Sequence, residues 1–365
     1  MENKGLIFIP DISGFTRFVN ETEIGHSRQI IQELLELLIN ANQTGLEISE
    51  IEGDAILFYK YGDAPGIKEL YSQVEKMFCS FHRYLAAYDQ RRLCQCSACK
   101  SAVGLTLKVI THYGEFTGYN VKNFSKLIGR DIIVAHQLLK NDIEQHEYWL
   151  VTNQLMPEGA PAQLPGWISW NSSAKHTEHG SISFRYTHLT PLKNEIPPVE
   201  APQLEIANKV KVITISREFD LDINTLFYNT IDFSQRSNWQ VGTRGVDQVS
   251  DPLVRVGTTH RCVLEKGYII QYTSSYSYSP EKIVYSETSK DKKHAMYQTY
   301  EKIGENRTRL TYDLYLKNNF MLRALFGLFM KKKYEKILGQ SMENLVAYMH
   351  KTHQHGNKHQ HEHAG

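Results

Sequence analysis

The chain has 365 residues, of which 41% are hydrophobic and 22% are charged. This composition can bury the cores of about two domains and is not that of a disordered protein. Its 41 Lys and Arg residues balance 40 Asp and Glu residues, which argues against a dedicated nucleic-acid-binding protein, because such proteins carry a basic excess. The longest apolar stretch, Phe320–Met330, is too short to span a bilayer. The amino terminus lacks the apolar core of a signal peptide, so we expect a soluble cytoplasmic protein.

Proline residues mark the expected domain boundary. Seven of the eleven prolines lie between Pro157 and Pro202, and proline favours extended backbone because its φ angle is fixed and it has no N–H donor. We therefore expect a first domain over residues 1–193, a proline-rich linker over 194–204, a second domain over 205–350 and a histidine-rich tail over 351–365.

Strand and helix patterns alternate in the first domain. Apolar runs and helical spacing predict, in order, a strand at 6–9, a helix at 22–41, strands at 46–51 and 55–59, a helix near 70–85, a strand at 103–110, a helix at 131–140 and a strand at 182–189. This order predicts an α+β fold of the ferredoxin-like kind, with helices on one face of an antiparallel sheet.

The second domain has mainly strand patterns. A strand at 210–219 precedes a short helix at 224–231, five period-two strands follow within 258–316, and a long helix closes the domain at about 322–349. We expect one curved antiparallel sheet folded around the final helix.

Two short motifs carry the candidate chemistry of the first domain. Asp11 ends the first strand and Asp54 lies in the turn of the central hairpin, so the predicted sheet brings both carboxylates to one end. Paired carboxylates suit Mg²⁺ or Mn²⁺. The four residues that follow the first strand open a helix whose N–H groups can receive a phosphate: Ser13, Gly14, Phe15 and Thr16. In the alternative interpretation, Asp11 and Ser13 only cap a helix and Asp54 only makes a turn.

These motifs resemble those of the class III nucleotidyl cyclases. The segment Phe8–Thr16, followed 43 positions after Asp11 by Gly53-Asp54-Ala55, carries the resemblance, which covers residues 1 to about 155. The resemblance implies a nucleotidyl-cyclase-type fold and metal-binding roles for Asp11 and Asp54. It also implies a homodimer, since cyclase active sites form between two such domains.

Other positions depart from the cyclase pattern. The resemblance places base recognition at Glu50 and at Lys126. At the position of Lys126 the family usually has Asp or Cys. The resemblance also places Ile133 and Gln137 where the family has an Asn and an Arg that hold the ribose and the migrating phosphates. Losing one such donor costs on the order of 10²–10³ in rate. We therefore expect a catalytically degenerate domain that can still bind metal and nucleotide.

A cysteine cluster provides a second candidate metal site. Three of the five cysteines lie within six residues: Cys94, Cys96 and Cys99. An odd total and this clustering indicate a reducing compartment rather than a disulfide framework. Three thiolates can bind Zn²⁺, which prefers four N or S ligands, and Cys79 or His82 on the preceding helix offers the fourth. The alternatives are His112 as the fourth ligand, or reduced thiols without a metal.

The strand and helix order of residues 205–350 resembles that of START-like or polyketide-cyclase-like domains. This resemblance implies a helix-grip fold with an apolar cavity for a lipid or another hydrophobic small molecule. Four aromatic residues are the expected cavity lining: Phe227, Trp239, Tyr272 and Phe326. No nucleophile–base pair is evident in this domain, so we expect a binding module. In the alternative interpretation the aromatic side chains fill a solid core.

The carboxyl-terminal part of the chain has two further features. The apolar segment Phe320–Met330 precedes Lys331-Lys332-Lys333. We expect this segment to cover its own sheet rather than a membrane. Six of the sixteen histidines lie in His350–His363, where they either bind Zn²⁺, Ni²⁺ or Cu²⁺ loosely or belong to a tail without function.

These features together predict a cytosolic signalling or sensor protein with a degenerate cyclase-like domain and a START-like ligand-binding domain. One alternative is an active Mg²⁺- or Mn²⁺-dependent cyclase that acts on ATP or GTP, with Arg130 or His136 supplying the missing contact. The other is a lipid or small-molecule carrier in which the first domain supports folding or dimerisation.

Overall fold

The computed structural model describes residues 4–156, 164–177, 180–247, 249–250 and 253–361, with side chains described as far as residue 351. The chain forms two compact units. The N-terminal unit comprises residues 1–90 and 95–200, and the C-terminal unit comprises residues 91–94 and 201–365. The boundary between residues 200 and 201 therefore falls inside residues 194–204, the segment that we expected to be a linker. The inclusion of residues 91–94 in the C-terminal unit was not predicted.

One large sheet organises the N-terminal unit. Its strands are β1 (Lys4–Ser13), β2 (Glu47–Glu52), β3 (Ala55–Tyr61), β4 (Thr106–Glu115), β7 (Tyr148–Thr152), β8 (Asn171–Thr177) and β9 (Gly180–His188), and a separate hairpin is formed by β5 (Thr117–Val121) and β6 (Phe124–Ile128). The helices are α1 (Phe15–Asn20), α2 (Ile24–Asn40), α3 (Ile67–Arg91), α4 (Ser97–Ser101) and α5 (Arg130–Leu139). The strand order in the sheet is β2-β3-β1-β4-β7-β9-β8.

The first four strands of this sheet have the predicted ferredoxin-like arrangement. Strands β2, β3, β1 and β4 are neighbours in that order and are all antiparallel. The sheet then continues beyond the prediction, because β7 pairs with β4 in parallel and β9 and β8 follow at the edge. The short strands β5, β6 and β8 have mostly exposed residues, so no apolar alternation marked them in the sequence.

Both faces of the central strand are covered, whereas we predicted helices on one face only. Every residue of β1 after Lys4 is buried. Helix α5 packs against β1 and β4 and shares a core with Ile7 and Ile9. On the opposite face, Leu70 of α3 lies close to Leu6 and Phe8. A strand that is buried on both faces reads as a continuous apolar run, which is the pattern of β1.

The C-terminal unit contains one antiparallel sheet. Its strands are β10 (Lys209–Phe219), β11 (Thr243–Asp247), β12 (Thr259–Leu264), β13 (Tyr268–Ser279), β14 (Lys282–Ser289), β15 (His294–Gly304) and β16 (Arg307–Lys317), in the sheet order β10-β16-β15-β14-β13-β12-β11. Helix α6 (Ile223–Ile231) follows the first strand, and α7 (Phe320–Leu325), a π-helical turn (Phe326–Met330) and α8 (Lys331–His361) end the unit.

Helix α8 packs on this sheet through one apolar stripe. Met342, Leu345 and Met349 are buried in the same core as Phe219 and Tyr285. The predicted packing of a long final helix against an antiparallel sheet is therefore present. The helix continues beyond residue 349 into the segment that we expected to be a tail. The side chains of the tail histidines after residue 351 lie outside the described residues.

The apolar segment before α8 does not cover the sheet as predicted. Only Phe326 of this segment is buried, whereas Phe320, Leu328 and Phe329 are 86%, 77% and 76% exposed. Within the described ranges, no helix is long and apolar enough to cross a membrane.

Candidate functional site

Backbone pairing brings Asp11 and Asp54 to the same end of the sheet. Asp11 on β1 pairs in register with Ala55 at the start of β3. The N–H of Ile12 also donates to the carbonyl oxygen of Asp54 over 3.1 Å. Asp54 therefore lies in a turn that is hydrogen-bonded directly to the strand carrying Asp11. The two carboxylates predicted as metal ligands are neighbours in the structure.

The two carboxyl groups perturb each other. Burial, together with the negative charge of Asp11, raises the pKa of Asp54 to about 6. Burial also raises the pKa of Asp11, against the opposing charge of Lys108. Two partly desolvated carboxylates that repel each other favour either a proton or a bound cation between them.

Lys108 is a third charged group at this site, and the sequence analysis did not identify it. It lies directly opposite Asp11 in the β1–β4 register, and its Nζ is 3.4 Å from Oδ1 of Asp11. The available signal was a single lysine inside the otherwise uncharged run Thr106–Thr111. The ammonium group of Lys108 therefore neutralises part of the negative charge of the two carboxylates, which a divalent metal would otherwise neutralise alone.

The segment predicted to receive phosphate begins with a tight turn. Gly14 has a φ of 91°, in the left-handed region that favours glycine. Helix α1, which contains Phe15 and Thr16, is only six residues long, and no side chain caps it. The structure therefore does not support the alternative in which Asp11 or Ser13 caps this helix. Ser13 Oγ is buried without a hydrogen-bond partner among the described residues.

Glu50 and Lys126, both implied to recognise a base, contact each other. The Nζ of Lys126 on β6 donates to Oε2 of Glu50 on β2. This hydrogen bond raises the pKa of Lys126. His136 on α5 lies on the other oxygen, with its Nε2 3.5 Å from Oε1 of Glu50. Glu50 is thus already paired with two cationic or titratable partners. The sequence suggested His136 only as a residue that could supply the missing phosphate contact.

The two positions that depart most from the cyclase pattern lie on α5 beside an open groove. Ile133 is 55% exposed, and it lines a cavity of about 770 Å³ together with Gln137 and Arg130. Arg130 also lines an adjoining cavity of about 670 Å³ with Asp131 and His112. Space and one guanidinium group are therefore available next to the substituted positions.

The cysteine cluster has a fourth member that differs from the predicted one. His26 on α2 joins the three predicted thiols, and one ligand atom from each residue lies within 4.8 Å of the others: His26, Cys94, Cys96 and Cys99. No local spacing connects His26 to the cysteines in the sequence, so only the fold identifies it.

The residues that we expected to complete this cluster are not in this group of four ligand atoms, and His82 and His112 have other partners. His82 Nε2 lies 3.2 Å from Thr106 Oγ1 and 3.6 Å from Oε2 of Glu147, and burial lowers its pKa to about 4. Burial raises the pKa of the Cys79 thiol. His112 is hydrogen-bonded to Thr152 and Asp131. The geometry corrects the proposed fourth ligand from Cys79 or His82 to His26.

The four aromatic residues expected to line a ligand cavity are not gathered around one space. Phe227 and Trp239 are buried in the main core of the C-terminal unit. Phe326 belongs to a separate cluster with Leu314 and Leu316. The hydroxyl of Tyr272 donates to the carbonyl oxygen of Leu204 over 2.8 Å.

A buried polar cluster lies inside the C-terminal unit and was not predicted. Arg236 makes two hydrogen bonds to Glu287, of 2.7 and 3.1 Å, and the hydroxyl of Tyr285 donates to the same carboxylate over 2.9 Å. His260 Nε2 lies 3.4 Å from Oε1 of Glu287, and burial lowers the pKa of His260 to about 4. The imidazole is therefore neutral at pH 7.

Comparisons of the sequence find uncharacterised relatives. Residues 31–148 match a family described as "Protein of unknown function (DUF2652)". The uncharacterized protein Rv2561/Rv2562 of Mycobacterium tuberculosis is 29% identical over 121 residues. That match covers 33% of this chain and 56% of the relative, so this chain spans little more than half of the relative's length.

Comparisons of the structure find cyclase domains. The guanylate cyclase domain of RhGC from Catenaria anguillulae in complex with GTP has a TM-score of 0.36 at 11% identity, with 51% of this chain and 96% of that chain covered. The adenylyl cyclase CyaB from P. aeruginosa has a TM-score of 0.36 at 16% identity, with 55% and 95% covered. A bacterial light-regulated adenylyl cyclase has a TM-score of 0.37 at 15% identity, with 53% and 98% covered. Cyclase domains are thus structures to which about half of this chain is similar.

Proposed function

We propose that the N-terminal unit is a nucleotidyl-cyclase-type domain that binds a purine nucleotide together with Mg²⁺ or Mn²⁺ and has lost efficient cyclisation. The single observation that carries this proposal is the convergence of Asp11 and Asp54 at one end of the sheet. Their carboxylate oxygens are the hard donors that both metals prefer. The buried Ser13 Oγ beside them lacks a partner among the described residues. When bound, the metal would neutralise phosphate oxygens.

The loss of cyclisation follows from side chains around the same region. Ile133 cannot donate a hydrogen bond and Gln137 carries no charge, so neither stabilises charge that develops on phosphate oxygens. Lys108 already pairs with Asp11, which reduces the pull of the carboxylate pair on a divalent cation. Glu50 and Lys126 are paired with each other, and one of them must release the other to contact a base.

A homodimer of the N-terminal unit is part of this proposal. Large apolar side chains are exposed on the hairpin, on β2 and on α5: Ile48, Ile51, Val121, Phe124, Ile128 and Ile133. Strands β2 and β6 contact each other, and Ile128 and Ile133 line the same cavity, which brings apolar side chains of the hairpin and α5 together. Exposed apolar patches of this kind mark association surfaces, and a second copy of the chain is the proposed occupant.

The C-terminal unit is proposed to be a START-like module that binds a hydrophobic small molecule or lipid, so that the chain acts as a sensor. The order of one strand, short helices, six further antiparallel strands and a long helix supports this proposal. Buried polar atoms without hydrogen-bond partners in the described chain also support it, since a ligand's polar group would satisfy them: Arg236 Nε, His260 Nδ1 and Tyr312 Oη.

Nucleotides with Mn²⁺ are expected to stabilise the full chain against heat. A ligand at 100 times its dissociation constant adds about 2.7 kcal/mol to the free energy of unfolding. We therefore expect ATP or GTP with Mn²⁺ to raise the Tm in a nucleotide panel. Asp54→Asn should abolish the shift, because it removes one metal-binding carboxylate, and Asp63→Asn, at an exposed position in the same unit, should retain it.

Product analysis in the same samples separates the alternatives. Cyclic nucleotide that forms at a substantial rate and disappears in Asp54→Asn would establish an active cyclase and contradict the loss of cyclisation. Absence of any nucleotide-dependent shift would contradict nucleotide binding. A small molecule that co-purifies in native mass spectra, without a nucleotide shift, would favour the carrier alternative.

A further inference from the structure

We propose that His26, Cys94, Cys96 and Cys99 form a tetrahedral Zn²⁺ site that joins helix α2 to the cysteine-containing segment after α3. The four ligand atoms converge within 4.8 Å of one another. Three thiolates and one imidazole are a frequent ligand set of structural zinc sites. We call these four residues the thiol–imidazole cluster. This proposal stands independently of nucleotide binding at Asp11 and Asp54.

The distances in the cluster match those that a tetrahedral zinc ion imposes. Zn–S bonds of about 2.3 Å and Zn–N bonds of about 2.0 Å place sulfur and nitrogen about 3.5 Å apart in a tetrahedron. The Nδ1 of His26 is 3.3 Å from Sγ of Cys96 and 3.5 Å from Sγ of Cys99. The imidazole therefore already faces two thiols at the spacing of two ligands on one ion.

The third thiol belongs to Cys94, whose Sγ lies within 4.8 Å of the other three ligand atoms. Cys94 is separated from Cys96 by one residue, and two peptide units span at most about 7 Å between Cα atoms. Cys94 is half-buried, as are Cys96 and His26, and Cys99 is buried. Partial burial limits access of water and competing ligands to the sulfur atoms.

Neighbouring groups support thiolate ligands. The backbone N–H of Cys99 donates to Sγ of Cys96 over 3.4 Å, and N–H donors to sulfur stabilise its deprotonated form. The Glu23 carboxylate orders the same loop, since it accepts hydrogen bonds from the N–H of Ala98 at 3.1 Å and the hydroxyl of Ser97 at 3.3 Å.

A bound zinc ion would connect two segments that the chain separates widely. His26 lies in the first turn of α2, which begins at Ile24, and the cysteines lie between α3 and β4. Helix α4 also contacts α1 and α2. All four positions of the ion are filled by protein ligands, which is the arrangement of a structural rather than a catalytic site. Metal binding then adds directly to the stability of this region.

Zinc content and cobalt spectra of the full chain test the proposal. We expect about one zinc per chain by mass spectrometry, and expect Co²⁺ substitution to give the visible spectrum of tetrahedral thiolate ligation. The tail histidines carry no sulfur and cannot produce the thiolate-to-cobalt band. His26→Ala and Cys96→Ser should lower the zinc content to about a tenth or less.

Three further variants make the result decisive. Cys79→Ser and His82→Ala remove the ligands suggested by sequence spacing and should leave the zinc content unchanged. His26→Cys keeps four ligands and should retain zinc, which distinguishes a lost ligand from a misfolded chain. Equal metal content in the wild type, His26→Ala and Cys96→Ser, or a cobalt spectrum without thiolate bands, would overturn the proposal.

We also infer that the exposed segment Phe320–Met330 binds an anionic membrane surface. Its exposed apolar side chains belong to α7 and the π-helical turn: Phe320, Met321, Leu325, Leu328, Phe329 and Met330. Lys331, Lys332 and Lys333 follow immediately and are exposed. Apolar side chains next to a basic cluster are the combination that holds a helix at an anionic lipid interface.

The anchoring of this segment supports a membrane as its occupant. Phe326 is buried beside Leu314 and Leu316 of the sheet, so the remaining apolar side chains are presented on a fixed support. A soluble protein seldom leaves such a patch in water. The positive charge of three adjacent lysines complements anionic headgroups and would repel an identical cluster on a second copy.

Sedimentation of the full chain with vesicles tests this inference. We expect binding to phosphatidylcholine–phosphatidylserine vesicles and little binding to pure phosphatidylcholine. Phe329→Glu and Lys331→Glu/Lys332→Glu should each weaken binding at least about fivefold, whereas Lys266→Glu/Lys290→Glu, at exposed sites elsewhere, should not. Equal binding by all variants, or a dimer that Phe329→Glu dissociates without any vesicle binding, would overturn it.

Discussion

Replacing Glu287 with alanine is expected to destabilise the C-terminal unit by about 3–5 kcal/mol, because it leaves a buried guanidinium group without its counter-ion. The side chains of Arg236 and Glu287 are 2% and 5% exposed. Burial alone would raise the pKa of Glu287, but the charge of Arg236 holds it below its usual value. The carboxylate is therefore ionised, and its removal leaves one buried charge unpaired.

A double variant distinguishes the loss of the Arg236–Glu287 ion pair from the cost of leaving one buried charge without a partner. Arg236→Met/Glu287→Leu removes both charges and should be more stable than Glu287→Ala, since well-packed apolar replacements of buried ion pairs are often neutral or stabilising. The remaining polar neighbours are Tyr285 and the neutral His260. We expect a hydrophobic double variant to recover most of the lost stability.

Hydrogen exchange of peptides from β13 to β15 during urea unfolding measures this effect in the C-terminal unit alone, which avoids treating a chain of two units as a single transition. The matched control is Glu281→Ala. Glu281 pairs with Lys302 at 3.8 Å on the surface, and its loss should change stability by less than about 1 kcal/mol. Similar costs for Glu281→Ala and Glu287→Ala would contradict the prediction.

The affinity of the N-terminal unit for Mn²⁺ is expected to fall about tenfold between pH 7 and pH 5. The metal binds the ionised form of Asp54, and burial together with the charge of Asp11 raises the pKa of this group to about 6. The carboxylate is about 90% ionised one pH unit above that value and about 10% ionised one unit below it. Protons therefore compete with the metal as the pH falls.

The same shift has a defined effect on stability without metal. The pKa of Asp54 is higher in the folded chain than the ordinary value of 3.8. Its ionisation therefore costs the folded state stability as the pH rises from about 4 to 6. A bound Mn²⁺ ion offsets this cost because it favours the charged form.

Calorimetric titration of the full chain with Mn²⁺ at several pH values measures the affinity. Asp54→Asn retains the tail histidines and reports any pH-dependent binding that they contribute, which is then subtracted. An affinity for Mn²⁺ that is independent of pH between 5 and 7 would show that Asp54 does not bind the metal. It would leave the zinc site of the thiol–imidazole cluster unaffected.

Much of the fold could be predicted from apolar spacing. The helical stripe that includes Leu34 and Leu38 predicted α2, and the apolar run at the start of the chain predicted β1. The pairing of Asp11 with the turn at Asp54 could also be predicted, because a hairpin next to a short strand leaves few arrangements. Strands with exposed residues, such as β5 and β6, were missed since no apolar alternation marks them.

Contacts between distant segments could not be predicted in the same way. The sequence did not reveal that His26 joins the cysteines, that Lys108 lies opposite Asp11 or that Arg236 pairs with Glu287. Each contact depends on which strand or helix faces another. Likewise, the composition of Phe320–Met330 showed an apolar segment but not whether a sheet would cover it.

The sequence by itself determined that this chain has two units of different architecture, a pair of carboxylates and a cluster of thiols. The tertiary structure decided the fourth member of that cluster, the cation opposite Asp11, and the exposure of the apolar segment before α8. The physical reason is that periodicity reports which side of an element avoids water. Only the packing of elements far apart in the chain decides which groups meet, and therefore which charges are neutralised and which ligands can share one metal ion.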